Sequence, residues 1–388
     1  MTYDFSRITE RRGTGCLKWD DTERIFGVGD ILPLWVADMD FQAPREIREA
    51  LEKKAAHGIY GYAASCPGYY RAQGEWLKKR FGWEIEENWL TISPGVMPAL
   101  NTIIRAFTSP GDKVLLQTPA YPPFFKAIEN NGCRVLTNPL KVEGGRYRMD
   151  FADLKAKLDS GVKLFILCSP HNPVGRVWEE EELRQLGEIC FRRRVPVVSD
   201  EIHGDLVLSG RQLPFPRLGE EFARSCLFLT STGKTFNLAG LQISSTIICD
   251  PEMRRRFRRT QLAGGFSRPN IFALAGAEAA YSHGEPWLEA LLDYLRENVR
   301  FCLQYFHEHI PALKIIPPEG TYLLWVDCRQ LELEDKELRE FFLQEAKVGF
   351  NPGHTFGAGG RGFVRINTAS PREVLEEALM RVRRALKG

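Results

Sequence analysis

The feature that most constrains the fold is a series of short, continuous apolar runs between about residues 90 and 250. The runs are KVLLQT, RVLTNPL, KLFILCS, VPVVSD, CLFLTS and SSTIIC, and amphipathic segments separate them. Continuous rather than alternating hydrophobicity is typical of strands buried on both faces, with helices connecting parallel neighbours. The pattern therefore predicts an α/β fold with a mainly parallel sheet flanked by helices.

After about residue 286 the pattern changes to that of a smaller α+β domain. The segment PWLEALLDYLRENVRFCLQYFHEHI predicts a long amphipathic helix. Two strand-like runs, a helix, the run FVRINTA and a terminal helix follow it. We therefore predict a large domain over residues 49–286 and a small domain that combines residues 1–48 with 287–388.

The composition argues against several classes of function. The chain has 52 basic and 50 acidic residues, so a net charge of +2 gives no reason to expect nucleic acid or an anionic membrane as a partner. The N-terminus has no apolar segment of a secretory signal, and no apolar run approaches the roughly 20 residues of a membrane span. Nine scattered cysteines without a C-x-x-C pair and seven histidines without ligand spacing predict no metal site and a reducing, cytoplasmic location.

Polar residues follow several of the predicted strands at the point where each strand ends. Asn172 follows KLFILCSPH, Asp200 follows VPVVS, and the segment from Ser231 to Lys234 follows CLFLT. Upstream, Gly95 lies in a turn that opens a predicted helix, whose free N–H groups are suited to a phosphate. Because ligands of open α/β sheets bind outside the carboxyl ends of the strands, these residues form the candidate site. Each signal alone has an ordinary structural explanation, and their order along the chain makes the case.

The ordered motifs SPHNPVG, SDEIH, STGKTFNLAG and FVRIN resemble those of the fold type I, aspartate-aminotransferase-like superfamily of class I/II. RRGTGCLKWD, LPLWVADMDF, HGIYGY, SPGVMPALN and GKTFNLAGL are most similar to its cystathionine β-lyase, or cysteine-S-conjugate β-lyase, branch. The resemblance covers nearly the whole chain. It implies a pyridoxal 5′-phosphate (PLP) cofactor, an amino-acid substrate, a sheet of the seven-stranded type and a homodimer with shared active sites.

The resemblance also implies a role for each matching residue. Lys234 would carry PLP as a Schiff base and act as the base at the substrate Cα, and Asp200 would keep the pyridine nitrogen protonated. Tyr62, in HGIYGY, would reach across the dimer interface into the neighbouring site. The other implied cofactor contacts are Gly95, Val96, Tyr121, Asn172, His203, Ser231 and Thr232.

Substrate contacts are implied for three residues. Arg365, in FVRIN, would bind the substrate carboxylate through two hydrogen bonds. Ala37 and Asp38, in LPLWVADMDF, would lie beside the substrate.

Three positions depart from aminotransferase usage. His203 occupies the place of a tyrosine, and Gln242 that of an arginine which often binds the cofactor phosphate. Gly233 replaces a serine next to the lysine, so Ser231 or Thr232 would have to supply the phosphate donor. The first two departures favour a lyase over a transaminase.

The main hypothesis is β-elimination from cystathionine or a related cysteine S-conjugate, which releases a thiol, pyruvate and ammonia. An aminotransferase that uses the same residues is the first alternative, because both reactions begin with loss of the Cα proton. A protein with this fold that acts mainly through a protein partner is the second. The intact set of candidate residues argues against the second alternative.

Overall fold

The computed structural model describes residues 3–64 and 66–387, and its centre is a seven-stranded sheet. Along the chain the strands are β1 (Leu90–Ser93), β2 (Lys113–Thr118), β3 (Arg134–Pro139), β4 (Val162–Cys168), β5 (Val197–Asp200), β6 (Cys226–Thr230) and β7 (Ser244–Ile247). Their order across the sheet is β1-β7-β6-β5-β4-β2-β3. The pairs β3–β2, β2–β4, β4–β5 and β5–β6 are parallel. Strand β7 is antiparallel to both of its neighbours, β1 and β6. The predicted mainly parallel sheet is confirmed.

Six of these strands coincide with the apolar runs in the sequence. Five of them are almost wholly buried, whereas the edge strand β3 is partly exposed. Strand β1 was missed by the pattern. Its sequence, LTIS, has only two apolar side chains, although all four of its residues are buried. Hydrophobicity alone therefore did not predict β1, which forms one edge of the sheet.

Helices cover the large sheet and connect its strands. The α-helices are Leu17–Asp20, Thr22–Phe26, Arg45–Ala56, Pro67–Phe81, Val96–Phe107, Pro122–Asn130, Phe151–Leu158, Glu180–Arg192, Glu220–Arg224, Thr232–Thr235, Pro251–Ala263, Ile271–His283, Glu285–His309, Asp335–Glu340 and Arg372–Ala385. A short π-helix spans Phe341–Glu345. Among the described residues, no helix combines the length and the apolar composition that crossing a membrane requires.

A second, smaller sheet follows in the C-terminal part of the chain. Its strands are β8 (Lys314–Ile315), β9 (Leu323–Asp327), β10 (Asn351–Pro352) and β11 (Phe363–Asn367), in the order β8-β9-β11-β10. All of its pairings are antiparallel. The helices Glu285–His309 and Arg372–Ala385 contribute buried side chains to its core. This arrangement confirms the predicted smaller α+β unit.

The N-terminal segment is shared between the two parts of the molecule. Its strand Leu32–Pro33 pairs in parallel with Val348–Gly349 beside the small sheet. Phe5, by contrast, packs on Trp287, with the ring centroids 5.6 Å apart, in the core of the large sheet. The proposed domain division at residues 48 and 286 stays a prediction.

Candidate active site

Polar side chains collect at the carboxyl ends of β4, β5 and β6. Asn172 follows β4, Asp200 ends β5 and Lys234 follows β6. These strands are parallel neighbours, so their ends meet at one edge of the sheet. Strand β11 of the small sheet adds Arg365, whose Nη1 donates a hydrogen bond to Asn172 Oδ1 at 3.0 Å. The site therefore lies where the two sheets approach each other.

Lys234 lies in a helix of one turn, Thr232–Thr235, directly after β6. Its Nζ donates a hydrogen bond to the backbone carbonyl of Ala37. Burial, with the positive charge of Arg365 as a second cause, lowers the pKa of Lys234 to about 8, and nearby carboxylates limit the shift. An amine with a lowered pKa is a good nucleophile and base near neutral pH.

Asp200 is a buried carboxylate with few partners. Its Oδ1 accepts a hydrogen bond from the Ile202 N–H at 3.1 Å. Burial raises the pKa of the carboxyl to about 7, although the backbone hydrogen bond and the charge of Lys234 oppose this shift. A carboxylate in such surroundings is stabilised by a cationic N–H partner, and a protonated pyridine nitrogen is such a partner.

Arg365 is buried and held in place by three acceptors. Beside its bond to Asn172, its Nη2 donates to the Trp35 carbonyl at 3.0 Å and to Asn351 Oδ1 at 2.8 Å. Its guanidinium lies 5.1 Å from the centroid of the Phe356 ring. The Nε–H is buried without a partner among the described residues, which leaves a donor for a substrate carboxylate.

His203 is buried beside Tyr322, with the ring centroids 6.0 Å apart. Burial lowers the pKa of His203 well below its usual value, and the positive charges of Lys234 and Arg365 add to the effect. The imidazole is therefore neutral, and its Nδ1 has no partner in the described part of the chain.

Tyr121 lies at the start of the helix Pro122–Asn130, close enough to Arg365 and Asp200 for their charges to affect its hydroxyl. Burial raises the pKa of this hydroxyl. The ring thus lies at the same edge of the sheet as the predicted cofactor contacts.

The predicted phosphate-binding turn has the expected geometry. Gly95 has φ of 112°, a backbone conformation that favours glycine, and the helix Val96–Phe107 begins directly after it. The first N–H groups of a helix have no partner within the helix and are suited to an anion.

Of the two predicted hydroxyl donors, Thr232 fits a phosphate better than Ser231. The Ser231 hydroxyl donates to the Ile243 carbonyl at 2.6 Å and accepts from the Gly233 N–H at 2.9 Å. Thr232 Oγ1 is buried and has no partner among the residues that the structure describes. A Cβ atom at Gly233 would lie 3.1 Å from Ser231 Oγ, so a serine here would require the Ser231 hydroxyl to shift by a few tenths of an ångström.

Ala37 and Asp38, the two other predicted substrate contacts, lie close to Lys234. The Ala37 carbonyl accepts from Lys234 and also from the Tyr322 hydroxyl at 2.9 Å. Asp38 forms an ion pair with Arg11, with Nη2 and Oδ2 2.7 Å apart. Direct substrate binding by Asp38 would therefore compete with this pair.

Tyr62 is not part of the site within a single chain. Its side chain is 96% exposed, next to the exposed Ile59 and Tyr60. This placement is what a residue that acts in a neighbouring subunit requires.

Three residues of the site were missed by the sequence reasoning. They are Tyr322, Asn351 and Asn237, whose Nδ2 donates to the carbonyls of Met39 and Phe41. Asn237 lies three residues after Lys234 and has a positive φ of 59°, which is uncommon outside glycine. Its place in GKTFNLAG was the available signal, whereas nothing local marked Tyr322 or Asn351.

A lysine of lowered pKa, a buried carboxylate on the neighbouring strand and a buried arginine at the carboxyl edge of a mainly parallel sheet define a class of protein. These are the groups that a PLP-dependent enzyme of fold type I needs for its cofactor and its amino-acid substrate. The buried Thr232 hydroxyl, which has no partner among the described residues, fits the cofactor phosphate.

Comparison with known proteins agrees with this class. Residues 30–382 match the family of class I and II aminotransferases. Cystathionine beta-lyase PatB of Bacillus subtilis (strain 168) is 43% identical over 385 residues, which are 99% of this chain and 100% of that protein. The chain belongs to the class I and II aminotransferase family.

Solved structures give the same result. Cystalysin from Treponema denticola, which contains PLP, is 36% identical with a TM-score of 0.96, over 100% of this chain and 99% of that one. The PLP-bound C–S lyase from Staphylococcus hominis is 32% identical with a TM-score of 0.94, over the same shares of the two chains. The predicted PLP-dependent enzyme of the carbon–sulfur lyase branch is confirmed.

Proposed function

We propose that this protein is a PLP-dependent carbon–sulfur β-lyase that acts on cystathionine or a related cysteine S-conjugate and releases a thiol, pyruvate and ammonia. The observation that carries the proposal is the Lys234 amine, with its pKa lowered to about 8, beside Asp200 and Arg365. The names of the relatives, cystathionine beta-lyase and C–S lyase, support the reaction type.

The residues present would hold PLP by complementary chemistry. Lys234 would bind it covalently, Asp200 would accept from its ring N–H, and Asn172 would donate to its ring oxygen through Nδ2, since Oδ1 already accepts from Arg365. Gly95, Val96 and Thr232 would hold the phosphate, and Tyr121 and His203 would line the ring. When bound, PLP withdraws the electron pair that remains at the substrate Cα after proton loss.

The chain itself would position the substrate and move one proton. Arg365 would bind the substrate carboxylate and so fix the Cα–H bond towards Lys234. The substrate's amino group would first displace Lys234 from the cofactor, so that its amine is free. Lys234 Nζ would then take the Cα proton, and the electron pair of that bond would expel the sulfur from Cβ as a thiolate. The thiolate then takes a proton, and the remaining three-carbon amine reacts with water to give pyruvate and ammonia.

The active enzyme would be a homodimer in which Tyr62 of each subunit serves the other site. The almost complete exposure of Tyr62 supports this, because an exposed cluster of large apolar side chains is typical of an interface. Tyr62→Phe should slow elimination by up to about 10²–10⁴-fold if the hydroxyl acts in proton transfer. Tyr60→Phe is the matched control, since the Tyr60 hydroxyl donates to the Ala55 carbonyl of the preceding helix, Arg45–Ala56, at 2.8 Å. Equal activity losses in both variants would contradict this role.

We also propose a cytoplasmic location. All nine cysteines are free, and six of them are buried. Thiols in this state are typical of proteins in reducing compartments. Cell fractionation tests the proposal, and recovery with secreted proteins would overturn it.

Product analysis tests the reaction. The purified holoenzyme is incubated with cystathionine and no keto acid, and pyruvate, ammonia and free thiol are measured. The proposal expects the three products in equal amounts. An enzyme that yields no pyruvate, but exchanges amino groups between an amino acid and a keto acid, would be an aminotransferase.

A further inference from the structure

The helix that carries Lys234 has only four residues, Thr232–Thr235. A single turn is not stable alone, because its nucleation costs more than its few hydrogen bonds return. Side chains fix it at both ends. Ser231 Oγ bonds to the Ile243 carbonyl at 2.6 Å before the turn, and Thr235 Oγ1 donates to Asp205 Oδ2 at 2.9 Å at its end. The position of Lys234 therefore depends on these two anchors.

Asp205, the second anchor, is a buried carboxylate that the proposed reaction does not use. It is 8% exposed and lies in the loop after β5, which also carries His203. Its Oδ1 accepts from Trp76 Nε1 at 3.1 Å, and Arg80 Nε lies 3.7 Å from the same oxygen. The carboxylate thus joins the loop after β5 and the Lys234 turn to the helix that contains Trp76 and Arg80.

We infer that Asp205 is a positioning residue, which fixes the amine of Lys234 against the Ala37 carbonyl through its hydrogen bond to Thr235. Its hydrogen-bond partners, Trp76 and Thr235, are not among the cofactor and substrate contacts proposed above. The inference rests on the proposed function, because it assigns Asp205 to the elimination step. The charges that act on Lys234 directly come from Arg365, Asp38 and Asp200, so Asp205 acts through geometry and not as a neighbouring charge.

Three variants of the holoenzyme test this inference. Thr235→Val removes the hydroxyl but keeps the shape, and Thr235→Ser restores it. Trp76→Phe removes a different donor from the same carboxylate and leaves the Thr235 bond in place. Two properties are measured in each: the kinetics of elimination, and the pH midpoint of the visible absorption band of the Lys234-bound cofactor, which needs no substrate.

Thr235→Val should lower kcat about 10-fold or more, with KM within about twofold, because a small displacement of a reacting group is costly. The pH midpoint of the band should rise by about half a unit or more, since a loosened turn admits water that favours the cationic form. Thr235→Ser should restore both values, and Trp76→Phe should leave the midpoint unchanged even if it lowers the melting temperature.

An unchanged midpoint in Thr235→Val, or an equal shift in Trp76→Phe, would overturn the role of Asp205. Failure of the proposed function has a different signature. In that case the wild-type enzyme would release no pyruvate from cystathionine, while the absorption titration would still report on the Lys234 turn.

Discussion

Two buried carboxylates in this protein have opposite surroundings. Asp40 accepts hydrogen bonds from four side chains: Lys18 Nζ at 2.7 Å, Arg11 Nη1 at 2.7 Å, Trp19 Nε1 at 3.0 Å and Ser370 Oγ at 2.5 Å. Among the described residues, Asp200 accepts a single hydrogen bond, from the backbone N–H of Ile202 at 3.1 Å. Burial would raise the pKa of both, but the Lys18 charge and the hydrogen bonds outweigh it at Asp40, whose pKa is lowered.

The difference separates a structural charge cluster from a reactive one. Around Asp40 each charge has its partner, and Lys18 is completely buried in an ion pair. Around Asp200, by contrast, the buried atoms without a partner among the described residues include Thr232 Oγ1, His203 Nδ1 and Arg365 Nε. Because unpaired buried polar groups are costly, three such groups among the residues of one candidate site indicate a place for ligands.

The largest effect is expected at the lysine of the reactive cluster. Lys234→Ala should remove the visible absorption band of the cofactor and lower kcat by about 10⁴-fold, because it removes both the covalent attachment and the base. Spectra and pyruvate release measure both. Lys113→Ala is the control, since Lys113 starts β2 and bonds to the Ser160 carbonyl at 2.8 Å. A band that persists in Lys234→Ala would show that another lysine carries the cofactor.

The structural cluster should respond in stability instead. Asp40→Asn removes the carboxylate nearest to the buried Lys18 amine, 2.7 Å away, and leaves only that of Asp38 at 4.0 Å, so the free energy of unfolding should fall by about 3–5 kcal/mol. Urea denaturation measures it, with Asp38→Asn as control because Asp38 is more exposed and its ion pair with Arg11 is only one contact of that arginine. If Asp40→Asn were as stable as the wild type, the contrast between the two clusters would be lost.

Arg365→Ala should mainly weaken substrate recognition. Loss of one partner of a buried charge pair costs roughly 2–5 kcal/mol, which corresponds to about 30- to several-thousand-fold in kcat/KM. Arg361→Ala is the control, since Arg361 is exposed in a glycine-rich turn four residues earlier. A larger loss of kcat/KM in Arg361→Ala than in Arg365→Ala would show that Arg361, and not Arg365, binds the substrate carboxylate.

Asp200→Asn should lower kcat by about 100-fold, because the carboxylate stabilises charge that develops only during the reaction. The same change is expected to stabilise the cofactor-free protein at neutral pH. A near-normal kcat would contradict the assignment of Asp200.

The two carboxylates should also give opposite dependences of stability on pH in the cofactor-free protein. The folded-state pKa of Asp200 is raised to about 7, so its contribution to stability is present below the unfolded value near 4 and is lost as pH rises through 7. Asp200→Asn should therefore gain about 1–3 kcal/mol over the wild type between pH 4 and 8. For Asp40 the pKa is lowered, so its contribution is present above pH 4 and is lost in acid. If the free energy of unfolding had the same pH dependence in Asp200→Asn and in the wild type, the contrast between Asp200 and Asp40 would be contradicted.

Much of the fold could be predicted because burial leaves a direct mark on the sequence. Strands β2 to β6 lie almost wholly within the apolar runs, and β7 (SSTI) was recognised only through the apolar residues that end its run, SSTIIC. The long helix Glu285–His309 has a buried stripe at helical spacing. Strand β1 could not be recognised, because its side chains are half polar and its burial comes from neighbours that are distant in the chain.

The sequence by itself determined the residue types of the site and the strands that carry them. Motifs place Asn172, Asp200 and Lys234 after successive apolar runs, and parallel pairing brings such strand ends together. Local chemistry also determined the Gly95 turn, since only glycine readily adopts φ of 112°.

Tertiary structure alone decided which polar groups have partners. The Ser231 hydroxyl bonds to the Ile243 carbonyl, whereas that of Thr232 has no partner in the described part of the chain. Asp40 forms an ion pair with Lys18, whereas Asp200 accepts a hydrogen bond from a backbone N–H. Hydrogen bonds of this kind join residues that are far apart in the chain. Their formation depends on distances of a few ångströms between packed elements, and these distances have no counterpart in any local pattern of the sequence.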